Sequence, residues 1–512
     1  MQLFKYGEFS IMITRTVSAF LTPIVREIDK YRRNPWSAQL QLFHTFVKAG
    51  CNTCFGGEHH FDAIRSIADF QRLVPISEYD GLLPYVERIR QGERQVLWNT
   101  PVRWLAKSSG TTVGKSKFIP ITREVLQRCH YKASRIVIAL YLHQYPKSKM
   151  LSGKSLTLGG SVNAGNNGIL SGDLSAILIK NTPWYAEWKR APRRDTAVIA
   201  DFETKIARIA AETAKQHVTS FAGVPSWNMM LIKKVIEVAG KSNLIDVWRD
   251  LELFIHGGVN FEPYREQYRA LIPSDAMHYM ETYNASEGFF AVQDDPADPA
   301  MLLLPHTDVF YEFIPMSKLD EARQGKIIPD TLETVRTGIN YAMVITTSGG
   351  LWRYLVGDTV RFTSLTPHKI KITGRTRHFI NAFGEELIID NADNALQKAC
   401  MQTGAAVTDY TVAPVFMDNT AKGAHEWIVE FAIPPADAGH FADLLDAALC
   451  AENSDYEAKR TNNSALRRLI LHVAPTGTFY EWMRRRNKLG GQHKVPRLSN
   501  TRNIVDELLT ML

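Results

Sequence analysis

The chain has 512 residues, long for one core, so two or more domains are expected. Hydrophobic residues make up 45% and charged residues 22%, which excludes global disorder, a collagen repeat and a disulfide scaffold. The formal net charge of +7 suits an anionic substrate such as a nucleotide or a carboxylate, and it is too small for a nucleic-acid signature.

The first apolar patch, FSIMITRTVSAFLTPIV, is interrupted by Arg15, and its flanking charges are not those of a signal peptide. It reads as an amphipathic helix. No stretch reaches the ~18–20 apolar residues that span a bilayer. The cysteines are five, an odd and sparse set that fits a reducing compartment, so a cytoplasmic setting is the simplest reading. Cys51 and Cys54 form a CxxC with His59 and His60 close behind. Without a second CxxC, a helix-to-loop passage is expected there rather than a metal site. Residues 10 to 90 read mostly helical, with spaced apolar positions as in PYVERIRQG.

From about residue 100, short apolar runs alternate with helical stretches. KSLTLGGSV and AILIK predict strands or strand ends. FETKIARIAAETAKQHV predicts a helix. SFAGVPSW leads into the helix NMMLIKKVIEVAG, and LELFIHGGV reads as a strand ending in glycines. Such alternation argues an α/β architecture. GLWRYLVGDTVRF and HKIKITGR predict consecutive strands. Beyond Gly374 the texture changes: strand, turn and helix in HFINAFGEELIIDNADNALQKACMQTG, then a hairpin from DYTVAPVFMD and HEWIVEFAI. A helix around HFADLLDAALC and a strand RRLILHVAP complete a small α+β unit. The expected division is a large domain over 1–374 and a small one over 375–512, with a hinge near Gly374 to His378.

The stretch KSSGTTVGKSK, Lys107 to Lys117, is rich in the residue types that bind phosphate. A mononucleotide P-loop reads GxxxxGK[ST]; counted back from Gly114-Lys115-Ser116, its first glycine falls on Ser109, and Gly110 is one residue too close. What remains is the hydroxyls of Ser108, Ser109, Thr111 and Thr112, two glycines, and the charges of Lys115 and Lys117. Taken alone, the loop divides evenly between a phosphate loop and a flexible surface turn.

Taken with motifs downstream, it resembles the phosphate loop [ST]SGTTGxPK of the adenylate-forming superfamily: acyl-CoA synthetases, adenylation domains and luciferases. FIHGGVN, with Gly257 and Gly258, resembles the glycine turn that lies against adenine. ETYNASEG resembles the aromatic-x-x-[ST]-E motif, RYLVGD the YRTGD motif, and GRTRHFINAFGEEL the hinge motif. Lys494, in GGQHKVPR, sits where the superfamily carries its C-terminal catalytic lysine. Within that superfamily the chain resembles the Gretchen Hagen, or auxin-responsive, family of acyl-acid amido synthetases. FGGEHHFDAIRSIADFQRLVPISEYDGLLPYVERIRQGE, AGVPSWNMM, YNASEG and GLWRYLVGD carry that likeness, with Trp352 in place of the usual Tyr. It looks like a bacterial-type member.

The resemblance implies a large luciferase-like α/β domain with sheets flanked by helices, followed by a small α+β domain. It implies ATP and Mg²⁺. Ser108, Ser109, Gly110, Thr111, Thr112 and Lys117 would hold the phosphates. Gly257, Gly258 and Tyr283 would flank adenine, Ser286 would meet phosphate, Asp358 the ribose hydroxyls, and Arg375 would stand in the hinge. Glu287 would hold the metal, and Glu287, Thr111 and Lys494 would serve catalysis. The implied reaction joins a carboxylic acid to an amine, usually an amino acid, through acyl-AMP. The alternative on the same fold is an acyl-CoA or acyl-carrier-protein ligase, and a non-catalytic nucleotide-binding scaffold is the third reading. The acyl pocket is expected between the loop, GGSVNAGNNG and FAGVPSW, with Val224 and Trp227 as candidate walls. There is no GxSxG elbow, HExxH or kinase HRD set.

Overall fold

A computed structural model describes residues 2–108, 117–164, 166–258, 261–376, 379–380, 385, 387–416, 423–453, 456–457, 460, 466–489, 494–499 and 501–512. The chain divides into two compact units. The larger comprises Met1–Val259, Leu271–Val356 and Arg361–Lys371; the smaller comprises Asn260–Ala270, Gly357–Val360 and Ile372–Leu512.

The large unit opens with the helices Gln2–Arg33 and Pro35–Gly50. Pro35 stands in the first turn, where its missing N–H removes no helical bond, and the Asn34 side chain accepts from the Ser37 N–H. Cys51 caps this helix, and Cys54 begins the short helix Cys54–Glu58, so the CxxC is a passage between helices. Ser66 and Asp69 form a capping box at the start of Ile67–Leu73. None of the helices among the described residues is long and apolar enough to cross a membrane.

Two sheets follow. The strand Trp104–Ser108 pairs antiparallel with Lys117–Ile121 and parallel with Leu170–Gly172, which pairs with Val162–Ala164. The second sheet is mixed and eleven-stranded. Its parallel section runs Arg190–Ala191, Lys154–Thr157, Val218–Gly223, Leu253–Gly257 and His278–Asn284, each strand beside the next. The helix Phe202–Thr213 buries Phe202, Ile206 and Ile209, and Pro225–Ala239 ends at Gly240, whose φ of 62° suits a left-handed cap.

One expected strand is a helix. AILIK lies within Leu174–Lys180, with Leu174, Ala176, Ile177 and Ile179 buried. A short apolar run buried on most sides has no period that separates strand from helix. Here the backbone N–H groups of Ile177 and Asn181 return to Asp173 and Ile177, and that local bonding decides the outcome.

The small unit holds the hairpin Ala406–Val415 and Ala424–Ile433, with Ile470–Ala474 added parallel to the second strand. The helices Ile389–Thr403 and Ala438–Glu452 supply Ala395, Leu396, Phe441, Leu445 and Leu449 to one core with Trp427 and Val429.

Candidate active site

In the large unit the parallel strands run in register, so their C-terminal ends lie along one edge. Thr157 is opposite Ala222, Gly223 opposite His256, and Gly257 opposite Thr282. The turns that leave this edge carry Gly159-Gly160, Val224, Gly257-Gly258 and the segment Tyr283 to Glu287. Ligands of α/β sheets bind outside the carboxyl ends of strands. The fold thus gathers on one edge four segments that are far apart in sequence.

Each turn has a local cause. A Cβ on Gly257 would stand 2.2 Å from the Thr282 carbonyl oxygen, so only glycine permits this approach. Thr282 donates its hydroxyl to the His256 carbonyl at 3.0 Å and ties the two strand ends together. After Tyr283 the chain reverses tightly, with the Ala285 N–H donating to the Gly288 carbonyl at 2.8 Å. This turn holds Ser286 and Glu287 at 1% and 7% exposure. The Ser286 hydroxyl is buried and makes no hydrogen bond among the described residues, and a buried hydroxyl ordinarily has a partner. Tyr283 is buried and meets Phe290 edge-on at 4.8 Å.

Trp227 is buried against Phe202, 4.9 Å between rings, and Val224 is the half-buried N-cap of Pro225–Ala239. The GGSVNAGNNG segment is split between two ends of the smaller sheet. Its glycines lie toward the Ser108 end, because Val162 pairs with Gly172 and Gly172 with Ala106. Its tip lies at the other end, where Leu170 is opposite Trp104.

Ser108 ends its strand opposite Lys117. Lys117 donates to the Tyr354 hydroxyl at 3.4 Å and lies over the rings of Tyr79 and Tyr354. Ser109, Gly110, Thr111 and Thr112 lie outside the described residues.

In the small unit, Asp358 and Arg375 are an ion pair, Nε to Oδ1 at 2.8 Å, with Asp358 buried and Arg375 partly exposed. The Thr376 N–H donates to the Gly357 carbonyl at 2.8 Å, and the Thr373 and Thr359 hydroxyls bond at 2.9 Å, which fixes this corner. Lys494 begins a segment tied to the strand Ala406–Val415. The Val412 N–H donates to the Arg497 carbonyl at 2.8 Å, and the Ser499 N–H donates to the Val412 carbonyl at 3.0 Å. Arg497 itself binds Asp409 and, at 3.3 Å, the Tyr264 hydroxyl. Desolvation among packed atoms lowers Lys494 to about 8, Arg375 adds to this, and Asp358 opposes it. The Lys494 residue is exposed in surface area, so water discounts the burial part and the neighbouring guanidiniums carry the direction.

Two supports were not read in the sequence. Lys205 is 2% exposed and donates to the carbonyls of Gly159 and Gly160 at 2.8 and 3.3 Å, bracing that turn. Its burial lowers its pKa, against the opposing charge of Asp173. The signal was a lysine on the apolar stripe Phe202, Ile206, Ile209. Arg353, at φ 43°, is buried with both Glu312 oxygens on its Nε at 3.2 and 2.9 Å, and its Nη1 donates to the Gln71 and Val74 carbonyls. Trp352 beside it donates its indole N–H to the Leu97 carbonyl at 2.9 Å and packs on Phe55 and Phe61. These contacts join GLWRY to FGGEHHFD in one core.

Comparison with known proteins bears on what this arrangement serves. Residues 24–277 match the GH3 family N-terminal domain, 301–375 its central domain and 390–503 its C-terminal domain. The chain is 22% identical to indole-3-acetic acid-amido synthetase GH3.4 of Arabidopsis thaliana over 95% of this chain and 93% of that protein. It is 23% identical to jasmonoyl--L-amino acid synthetase JAR4 of Nicotiana attenuata over 94% of each. Among solved structures, the GH3.15 acyl acid amido synthetase superimposes with a TM-score of 0.77 at 17% identity over 96% of each chain. A 2-hydroxyisobutyryl-CoA ligase in its postadenylation state does so with a TM-score of 0.59 at 14% identity over 94% of each. The fold is therefore that of these two structures, a large α/β part followed by a small one. With its three domains matched in order along the chain, this protein belongs to the GH3 family.

Proposed function

We propose that this protein is an ATP-dependent acyl-acid amido synthetase. The observation that carries the reading is the succession of three GH3 domains in a chain that spans nearly the full length of relatives named an indole-3-acetic acid-amido synthetase and a jasmonoyl--L-amino acid synthetase. The carboxylate oxygen of an organic acid attacks the α-phosphorus of ATP; the bond to the β-phosphate oxygen breaks, and pyrophosphate leaves. An amine nitrogen then attacks the acyl carbon of acyl-AMP. The C–N bond forms, the C–O bond to AMP breaks, and the amine loses a proton. The acid is a small organic carboxylic acid and the acceptor an amino acid.

The strand-end edge supports a nucleotide there. Gly257-Gly258 admits a flat base closely, and the Ser286 hydroxyl, without a partner among the described residues, suits a phosphate oxygen; the Asp358 carboxylate of the small unit is a charged acceptor of the kind that ribose hydroxyls donate to. Glu287 is a buried hard oxygen donor, and Mg²⁺ in nucleotide sites takes one or two carboxylates together with substrate phosphates. Glu287 would hold this ion, which supplies charge neutralisation between two anions. Ser108 and Lys117 flank the phosphate loop, and Lys494 supplies a cation to the transferring group. The boundary near Gly374 serves as the hinge for domain closure. The cysteines are free, which supports a reducing, cytoplasmic setting.

A panel of carboxylic acids against amino acids, with coenzyme A as a separate acceptor, tests this reading by AMP and pyrophosphate release. At least one acid–amino acid pair is expected to turn over. Glu287→Gln should lower kcat/KM for that pair by about 100-fold, on the order of 3 kcal/mol. Turnover with coenzyme A alone would assign the chain to acyl-CoA ligation instead.

A further inference from the structure

A cavity of about 440 Å³ lies in the large unit between residues 89–103 and residues 167–169, a size that suits a small-molecule site. Its lining is rich in unspent donors. Arg94 and Arg103 line it, and neither guanidinium makes an ion pair or hydrogen bond among the described residues. The backbone N–H groups from Arg94 to Thr100 donate to no acceptor among the described residues, although Val96, Leu97 and Trp98 are buried. The Trp98 indole N–H is also buried without a partner, in a residue 4% exposed that lines the same cavity. Buried donors in folded proteins almost always find acceptors. The acidic residue in the lining, Glu93, is already held by Arg88 at 2.8 and 2.7 Å.

This place is separate from the strand-end edge. Arg103 precedes the strand Trp104–Ser108, so five extended residues, about 16 Å, separate it from the start of the phosphate loop. Residues 167–169 belong to the hairpin tip at that remote end, and Asn167 is fixed there by donating to the Arg90 carbonyl at 3.2 Å.

We propose that this cavity binds a small organic anion. Its carboxylate or phosphate is held by Arg94 and Arg103, and its apolar body lies against Ile89, Pro101 and Ile169. The shared chemistry is an oxyanion on a carbon frame, and it does not depend on the reaction proposed above.

Calorimetric titration of the full chain with benzoate and, separately, with phenyl phosphate tests this, and the probe that saturates identifies the acid group. At least one is expected to bind with a Kd below about 1 mM. The double variant Arg94→Ala/Arg103→Ala should weaken that binding at least about 10-fold, the scale of a charge-assisted contact. Both arginines are exposed, so an unchanged melting temperature will show that the variant is folded. The same variant should keep the parent's acid-dependent pyrophosphate release when no probe is added. Binding equal in parent and variant, no saturation by either probe up to about 10 mM, or joint loss of binding and pyrophosphate release overturns the proposal. If no acid–amine pair turns over, the titration still decides this site.

Discussion

Asp308 shows how one buried group ties stability to pH. It is 2% exposed at φ 63°, and the Ser348 hydroxyl donates to its carboxylate. Burial raises its pKa from 3.8 to about 7; the Ser348 bond and the charge of Arg128 oppose the shift, and Glu124 adds to it. Between those two values the folded chain keeps a proton that the unfolded chain releases. The resulting stabilisation is complete below about pH 4 and lost as pH rises through about 7. Asparagine tolerates the same left-handed backbone and stays neutral. Urea melts of Asp308→Asn should therefore fall less steeply than the parent's from pH 5 to pH 8, and the variant should be the more stable of the two above pH 7. Identical slopes for the two proteins would show that Asp308 is ionised in the fold.

Elements are joined most firmly by Arg353, which links the strand Val309–Pro315, through Glu312, to the carbonyls around the end of the helix Ile67–Leu73. Arg353 and Glu312 are 2% and 1% exposed. Removing one partner leaves the other charge buried, at a cost of about 3–5 kcal/mol, whereas replacing both with apolar groups is often near neutral. Arg353→Ala and Glu312→Ala should each lower the urea midpoint severely, and Arg353→Met/Glu312→Leu should be more stable than either. If the double variant instead sums the two losses, the pair is not coupled. Helices and strands with clear periodicity, such as Phe202–Thr213 and the hairpin Ala406–Ile433, were legible in the sequence. Gly257, Ser286, Glu287 and Asp358 are proposed from motif resemblance, and the fold adds where they stand: Gly257 opposite Thr282 at a strand end, Ser286 and Glu287 in the turn that follows, and Asp358 paired with Arg375. The partners of Arg353 and Lys205 were not legible, since they are backbone carbonyls and a carboxylate that only the folded topology brings near. AILIK failed for a related reason: its burial on most sides erased the period.

Across the whole molecule, the proposed site residues are found in both units. Gly257, Ser286 and Glu287 belong to the larger, and Asp358, Arg375 and Lys494 to the smaller. Lys494 decides between the steps. If its ammonium neutralises charge as carboxylate and triphosphate meet, Lys494→Ala should slow acid-dependent ATP–pyrophosphate exchange about 100-fold. Consumption of preformed acyl-AMP by the amine should then change less than about 3-fold. The pH profile sharpens the test. The Lys494 pKa is lowered from the ordinary lysine value, with the Arg375 and Arg497 guanidiniums beside it, so the exchange rate should decline on the alkaline side, below the pH at which a free lysine loses its proton. Lys494→Arg retains the charge well beyond pH 10 and should move this decline to higher pH, even if the bulkier planar guanidinium lowers the plateau. An alkaline limb unmoved by Lys494→Arg, with amide formation lost in Lys494→Ala, would place the lysine in the transfer step and leave the first step to the groups of the larger unit.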